Sequence, residues 1–186
     1  MSEGGHTAML RLSEDVHEAL ADYEAAWSEI RYHALPVPIE FLARCQGWMI
    51  GEDPRVAPAV IAGMVSEPLK LAAFNPGLSR PDRRVALAWL IARQIQGETG
   101  AFLIQPGPYS QNWLSREILQ TVKITSRLLI PDTVFRECTS FSELRRVCGV
   151  PSWLVAGRLA SVEPAERQRF LTDDPREWGI IRGSHY

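Results

Sequence analysis

The 186-residue chain has little cysteine and little histidine, and that scarcity excludes several chemistries at once. Its three cysteines, Cys45, Cys138 and Cys148, are too few and too scattered for a disulfide framework. None stands in a C-x-x-C pair, so neither a zinc knuckle nor a dithiol redox motif is available. No two of the four histidines, His6, His17, His33 and His185, are spaced as metal ligands on one element. An excess of one charge is also missing: 20 Lys and Arg stand against 22 Asp and Glu, a net charge of −2. Nothing in that balance advertises nucleic acid or an anionic membrane. The longest nearly apolar runs, VAPAVIAGMV and VALAWLIA, have about half of the ~20 residues that a membrane span needs. The first twenty residues have no basic segment followed by an apolar core, so no signal peptide is expected and the cytoplasm is the default location. There is no G-x-S-x-G elbow, no P-loop and no dinucleotide glycine pattern, and no cofactor is implied.

What is present suits a globular α+β domain, with 46% hydrophobic and 23% charged residues. The length allows one full core with a small appended subdomain. Residues 14–32 read as a helix, with Val16, Leu20, Tyr23, Trp27 and Ile30 at helical spacing and Ser13 as its cap. Pro36 and Pro38 break the chain before a second helix, IEFLARCQ, stopped at Gly47. WMIG, APAVIAGMV and LKLAAFN are β-capable runs separated by turn-like GEDPR and SEP, which predicts three strands of a small, mostly antiparallel sheet. Pro81 opens a helix that ends at Gln96, and AFLIQ is either a fourth strand or an extended segment. From Ser110 the chain turns helical: SREILQTVKITSRLLI is a long amphipathic helix halted by Pro131, PDTVFREC starts another, and Ser140 with Glu143 forms a capping box for SFSELRRVCG. PSWLVAGRLASV and EPAERQRFL follow, and TDDPREWGIIRGSHY reads as an extended tail. The expected organisation is an α+β domain over 1–135, a helical unit over 136–171 and a tail over 172–186.

Within the helix RRVALAWLIARQIQ, the pattern Arg84, Leu87, Ala88 is followed by Trp89, Leu90, Ile91, Ala92 and Arg93. Further on, Leu128, Leu129, Ile130 and Pro131 precede Phe135, and Leu144, Val147, Gly149, Val150, Ser152, Arg158 and Leu159 follow in order. Together these resemble the ImmA/IrrE-like family of zincin-like metallopeptidase domains. Its members carry R-x-x-L-A-H-E-x-x-H, then a helix ending L-L-M-P, then a small helix-turn-helix-like unit. The resemblance spans roughly residues 10–165 and implies a small sheet packed on helices, with a helical C-terminal unit.

The departures from that pattern fall on its chemistry. Zinc hydrolysis needs two neutral imidazoles four residues apart on one helix, and a carboxylate beside the first as general base. Trp89 offers only an indole N–H, Leu90 is aliphatic and Arg93 stays protonated, so none can serve. The family's third ligand, an acidic residue, falls at Ile118; Glu117 is adjacent but ~100° away around the helix. The expectation is therefore a degenerate site without metal or catalysis. The indole either fills the former cleft, with Arg93 stacked on it or reaching an acidic neighbour, or is a plain core residue beside an exposed arginine. Cys138 and Cys148 lack a histidine partner nearby and read as packing residues.

Because active relatives cut or displace helix-turn-helix repressors of phages and mobile elements, the resemblance implies a pseudopeptidase that binds a protein partner without cutting it. Trp113, Trp153 and Trp178, each near a segment boundary, are candidate anchors. A homodimer would use the same kind of surface. The alternative is a DNA-binding transcriptional regulator using the 140–160 unit, aided by a basic stripe of Arg116, Lys123 and Arg127. That alternative has few groove-reading side chains: the would-be recognition helix carries only Ser152 and Arg158.

Overall fold

The computed structural model describes residues 12–30, 34–55, 61–66, 70–98, 100–104 and 116–170. The first helices are α1 (Glu14–Ser28) and α2 (Ile39–Cys45). Strands β1 (Met49–Glu52), β2 (Ile61–Ser66) and β3 (Leu71–Phe74) lead into α3 (Arg80–Ile95) and β4 (Gly100–Ile104). Helices α4 (Arg116–Leu129), α5 (Asp132–Glu137), α6 (Phe141–Cys148), α7 (Ser152–Ala160) and α8 (Pro164–Gln168) complete the described chain. The fold is α+β, and residues Gly100–Ile104, most of the AFLIQ segment, supply the fourth strand.

The four strands lie in the order β1-β3-β2-β4. β2 pairs antiparallel with both β3 and β4, with Met64 opposite Ala73 on one side and Ala101 on the other. β1 corrects the expectation of antiparallel pairing: it runs parallel to β3, with Ile50 in register with Ala72. The reason is topological. The chain reverses direction from β1 to β2 and again from β2 to β3, so a β1 that lies beside β3 instead of β2 must run parallel to it.

α3 is the organising helix. Ser79 caps it by accepting the Asp82 N–H at 3.3 Å, and Pro81 sits in the first turn, where its missing N–H costs nothing. Eight consecutive residues, Val85 through Ala92, are buried, so this helix is apolar all round. That pattern is satisfied only by burial on more than one side: α3 packs against β2, β3 and β4 and also against α4, with α2 alongside. Gly97, at φ +76°, turns the chain out of the helix.

α4 packs against α3, α1 and α7. Its hidden polar residues are small and mostly back-bonded: Thr121 Oγ1 donates to the Glu117 carbonyl at 2.9 Å and Ser126 Oγ to the Lys123 carbonyl at 2.8 Å. α6 starts as the sequence predicts, with Ser140 accepting the Glu143 N–H at 3.1 Å; the Glu143 carboxylate reaches back to the Thr139 N–H at 2.8 Å. It ends at Gly149, φ +58°, in the left-handed conformation that favours glycine. Among the described residues, one buried cluster includes members from Val16 to Phe170.

Candidate functional site

The α3 face that carries Trp89 and Arg93 is filled. Trp89 is buried, 6% exposed, and its ring meets that of Trp153 on α7 edge-on, with centroids 6.2 Å apart at 73°. This edge-to-face contact is a favoured aromatic geometry. Leu90 is fully buried, and Ile118 is partly buried against the core. Arg93, one turn beyond Trp89, forms an ion pair with Glu98 and donates through Nη1 to Thr121 Oγ1 at 3.4 Å. Gln96 Nε2 donates to the same hydroxyl at 2.8 Å. Burial lowers the Arg93 pKa from its ordinary value, and the Glu117 carboxylate partly offsets that by favouring the cation. Positions 89 and 93 of α3 thus look towards α7 and the first turns of α4, and indole packing and guanidinium pairing occupy the space between them.

Of the proposed partner anchors, Trp153 requires a correction. It is a core residue, 6% exposed and held edge-on against Trp89, not an exposed anchor. Trp113 and Trp178 lie outside the described residues. The proposed basic stripe does not stand as an open cationic face. Arg127 is committed inside the molecule, 3.5 Å from Asp132, 3.9 Å from Glu24 and 3.4 Å from His17 Nδ1, with only 18% of its side chain exposed. Lys123 is partly buried, and burial lowers its pKa. Arg116 opens α4, and its side chain is outside the described set.

The pair α6–α7, expected from the sequence to be helix-turn-helix-like, presents few side chains for reading DNA. Trp153, Leu154, Val155, Ala156, Arg158 and Leu159 of α7 are all buried, because α7 packs on α4. Gly157 makes the approach possible: a Cβ there would stand 2.3 Å from Val122 Cγ1. Arg158, the one basic residue of the supposed recognition helix, is ion-paired with Asp132 and lies 4.7 Å over the Phe135 ring. A recognition helix must expose several side chains to a groove, and this one spends them on the core.

Several residues that organise this region carry little signal in the sequence. Arg84 matches a family position, but its role emerges only in three dimensions. It donates to the Val37 carbonyl from Nε and Nη2 (3.3 and 3.2 Å), to Gly149 from Nη1 (3.1 Å) and to Cys148 from Nη2 (3.2 Å). One guanidinium therefore ties α3 to the segment before α2 and to the end of α6, where carbonyls lack helical partners. Glu24, Arg127, Asp132 and Arg158 form a charged cluster between α1, α4, α5 and α7. Burial first, and then Asp132, raise the Glu24 pKa, against the opposing pull of Arg127 and Arg158.

The buried thiols are not poised as nucleophiles. Burial pushes Cys148 up to about 12 and raises Cys138, so neither supplies thiolate at neutral pH. Among the described residues, no group of three or more His, Cys, Asp or Glu side chains is arranged to share a metal ion. Among them also, no helix is long and apolar enough to cross a membrane. Comparison of the chain with protein-family models, with curated proteins and with solved structures returns no match.

Proposed function

We propose that this chain is a non-catalytic regulator that acts by binding a protein partner, on an ImmA/IrrE-like metallopeptidase scaffold whose zinc site has been replaced. The observation that carries this reading is the placement of α3. It lies against the sheet on one side and α4 on the other, as the resemblance requires, and residues 89 and 93 face the α4–α7 side. At those positions stand an indole, committed to Trp153, and a guanidinium, committed to Glu98. Neither binds a divalent cation, and with Leu90 beside them no carboxylate is in place to activate water. What remains of such a scaffold is its shape. Its partner on this reading is a helix-turn-helix repressor or another regulator of a phage or mobile element, met in the cytoplasm, with a second copy of the chain as the other occupant of such a surface. The burial of α7 and the pairing of Arg158 argue against DNA readout by that helix.

The test is affinity capture of the full chain from its native host, with and without nuclease. A stoichiometric protein that survives nuclease is the expected result. Recovery of nothing, or of material lost with the nucleic acid, would contradict the reading.

A further inference from the structure

A groove of about 420 Å³ opens between the start of α3, the end of α6 and the turn into α7, well apart from the Arg93–Glu98 pair at the far end of α3. Its walls are mostly apolar: Val85 from α3, Val150 and Pro151 from the turn, and an edge of Trp153 from α7. The volume falls within the ~300–1,000 Å³ of sites that hold a ligand or an anchoring side chain. Arg145 and Arg146, both exposed, line one end.

The arginines distinguish this groove from ordinary surface. Arg83, Arg93, Arg127 and Arg158 are each ion-paired to a carboxylate of the chain. Arg145 bonds only the Ser152 hydroxyl, at 3.3 Å, and neither it nor Arg146 makes an ion pair among the described residues. The acidic residue that also lines the groove, Asp82, is held by the Ser79 hydroxyl at 2.6 Å in the first turn of α3, where the helix dipole offsets its charge. Glu143, on the same helix as the arginines, accepts from Thr139 and acts on Arg146 only through space, without an ion pair. The groove therefore joins an apolar wall to two exposed arginines that make no ion pair among the described residues.

We propose that this groove binds an acidic peptide segment of a partner protein, with an aromatic or aliphatic side chain lodged against Val85, Val150 and Pro151 and its carboxylates on Arg145 and Arg146. This rests on the protein-binding reading above and names the partner's chemistry. Arginine suits the role because its planar fork pairs with carboxylates in a bidentate fashion. A nucleic acid fits less well: phosphate tracks need a run of cations, whereas this patch has two beside an apolar wall and a carboxylate.

A random-peptide phage library selected on the immobilised full chain tests it. The expected result is enrichment of clones that join Asp or Glu to Trp, Phe or Leu. A synthetic peptide of that sequence should weaken at high salt, and should lose about tenfold or more in affinity when Arg145→Glu and Arg146→Glu are combined. Both arginines are exposed, so the variant should keep its fold, checked by circular dichroism; Arg44→Glu, exposed on α2, should leave binding unchanged. No enrichment, clones without acidic residues, or peptides held equally by the charge-reversed variant would overturn the proposal, as would duplex DNA binding abolished by that variant. A native partner captured equally by wild type and the charge-reversed variant removes this groove but leaves the protein-binding reading. Capture of no partner by either removes the reading itself.

Discussion

Replacing Gly157 with alanine tests the placement of α7 on α4. The new methyl would lie 2.3 Å from Val122 Cγ1, about 1.2–1.7 Å inside an ordinary carbon–carbon contact. The helices must separate, or Val122 must leave its rotamer, and such overpacking costs about 1–3 kcal/mol. Alanine is also a better helix former than glycine by about 1 kcal/mol. The net expectation for Gly157→Ala is a loss of up to about 2 kcal/mol. Val122→Ala alone, which empties space beside a buried helix, should cost about 2 kcal/mol. With Cγ1 gone, the nearest remaining atoms to the added methyl are Val122 Cβ at 3.8 Å and its carbonyl oxygen at 4.0 Å, both comfortable contacts. In the Val122→Ala background, then, Gly157→Ala should stabilise by about 1 kcal/mol. The effect of the substitution thus depends on its neighbour, a coupling of about 1–3 kcal/mol that urea unfolding followed by circular dichroism resolves readily. If Gly157→Ala stabilises both backgrounds equally, α7 does not rest on α4 at this point, and the burial that keeps it from serving as a DNA-reading helix is refuted as well.

Three other predictions concern the charged and sulfur groups. Arg84→Met should destabilise by about 2–4 kcal/mol in denaturant unfolding, since it strands the Val37, Cys148 and Gly149 carbonyls, and Arg84→Lys should recover little because an ammonium cannot span all three; near-neutral Arg84→Met would refute the tie. Thiol titration with a disulfide reagent at mildly alkaline pH should find one fast thiol, exposed Cys45, with Cys138 and Cys148 reacting only after denaturation; two or three fast thiols would contradict their burial and raised pKa values. Glu24 has a folded pKa above its unfolded one, so its contribution to stability is present at low pH and is lost as pH rises through the folded value. Glu24→Gln should therefore raise the melting temperature relative to wild type at pH 7, by a margin that shrinks towards about pH 4; a margin that grows on acidification would show that Arg127 outweighs burial.

What the sequence made legible follows from how local each signal is. α3 could be read because a cap, a first-turn proline and eight apolar residues in succession lie within one segment. The capping box at Ser140 and Glu143 is equally local and appears as expected. The parallel β1–β3 pair was hidden, because strand order depends on where connections run and alternation within a strand does not report it. The contact between Trp89 and Trp153 joins residues 64 positions apart, and nothing in either neighbourhood announces it. Trp153 thus looked like an anchor at a segment boundary, although its face is already taken. Arg127 and Arg158 were misleading for a related reason. On a helical wheel they are simply basic, and only the convergence of α1, α4, α5 and α7 shows them neutralising Asp132 and Glu24. Positions 89, 90 and 93 could be judged from residue type alone, since no fold makes a ligand of indole or guanidinium.

On the proposed reading, this chain binds a protein partner and leaves it whole. The most direct measurement is the intact mass of that partner, purified in complex with the full chain and incubated with excess zinc. An unchanged partner mass at constant stoichiometry is the predicted result, and discrete zinc-dependent fragments would contradict it.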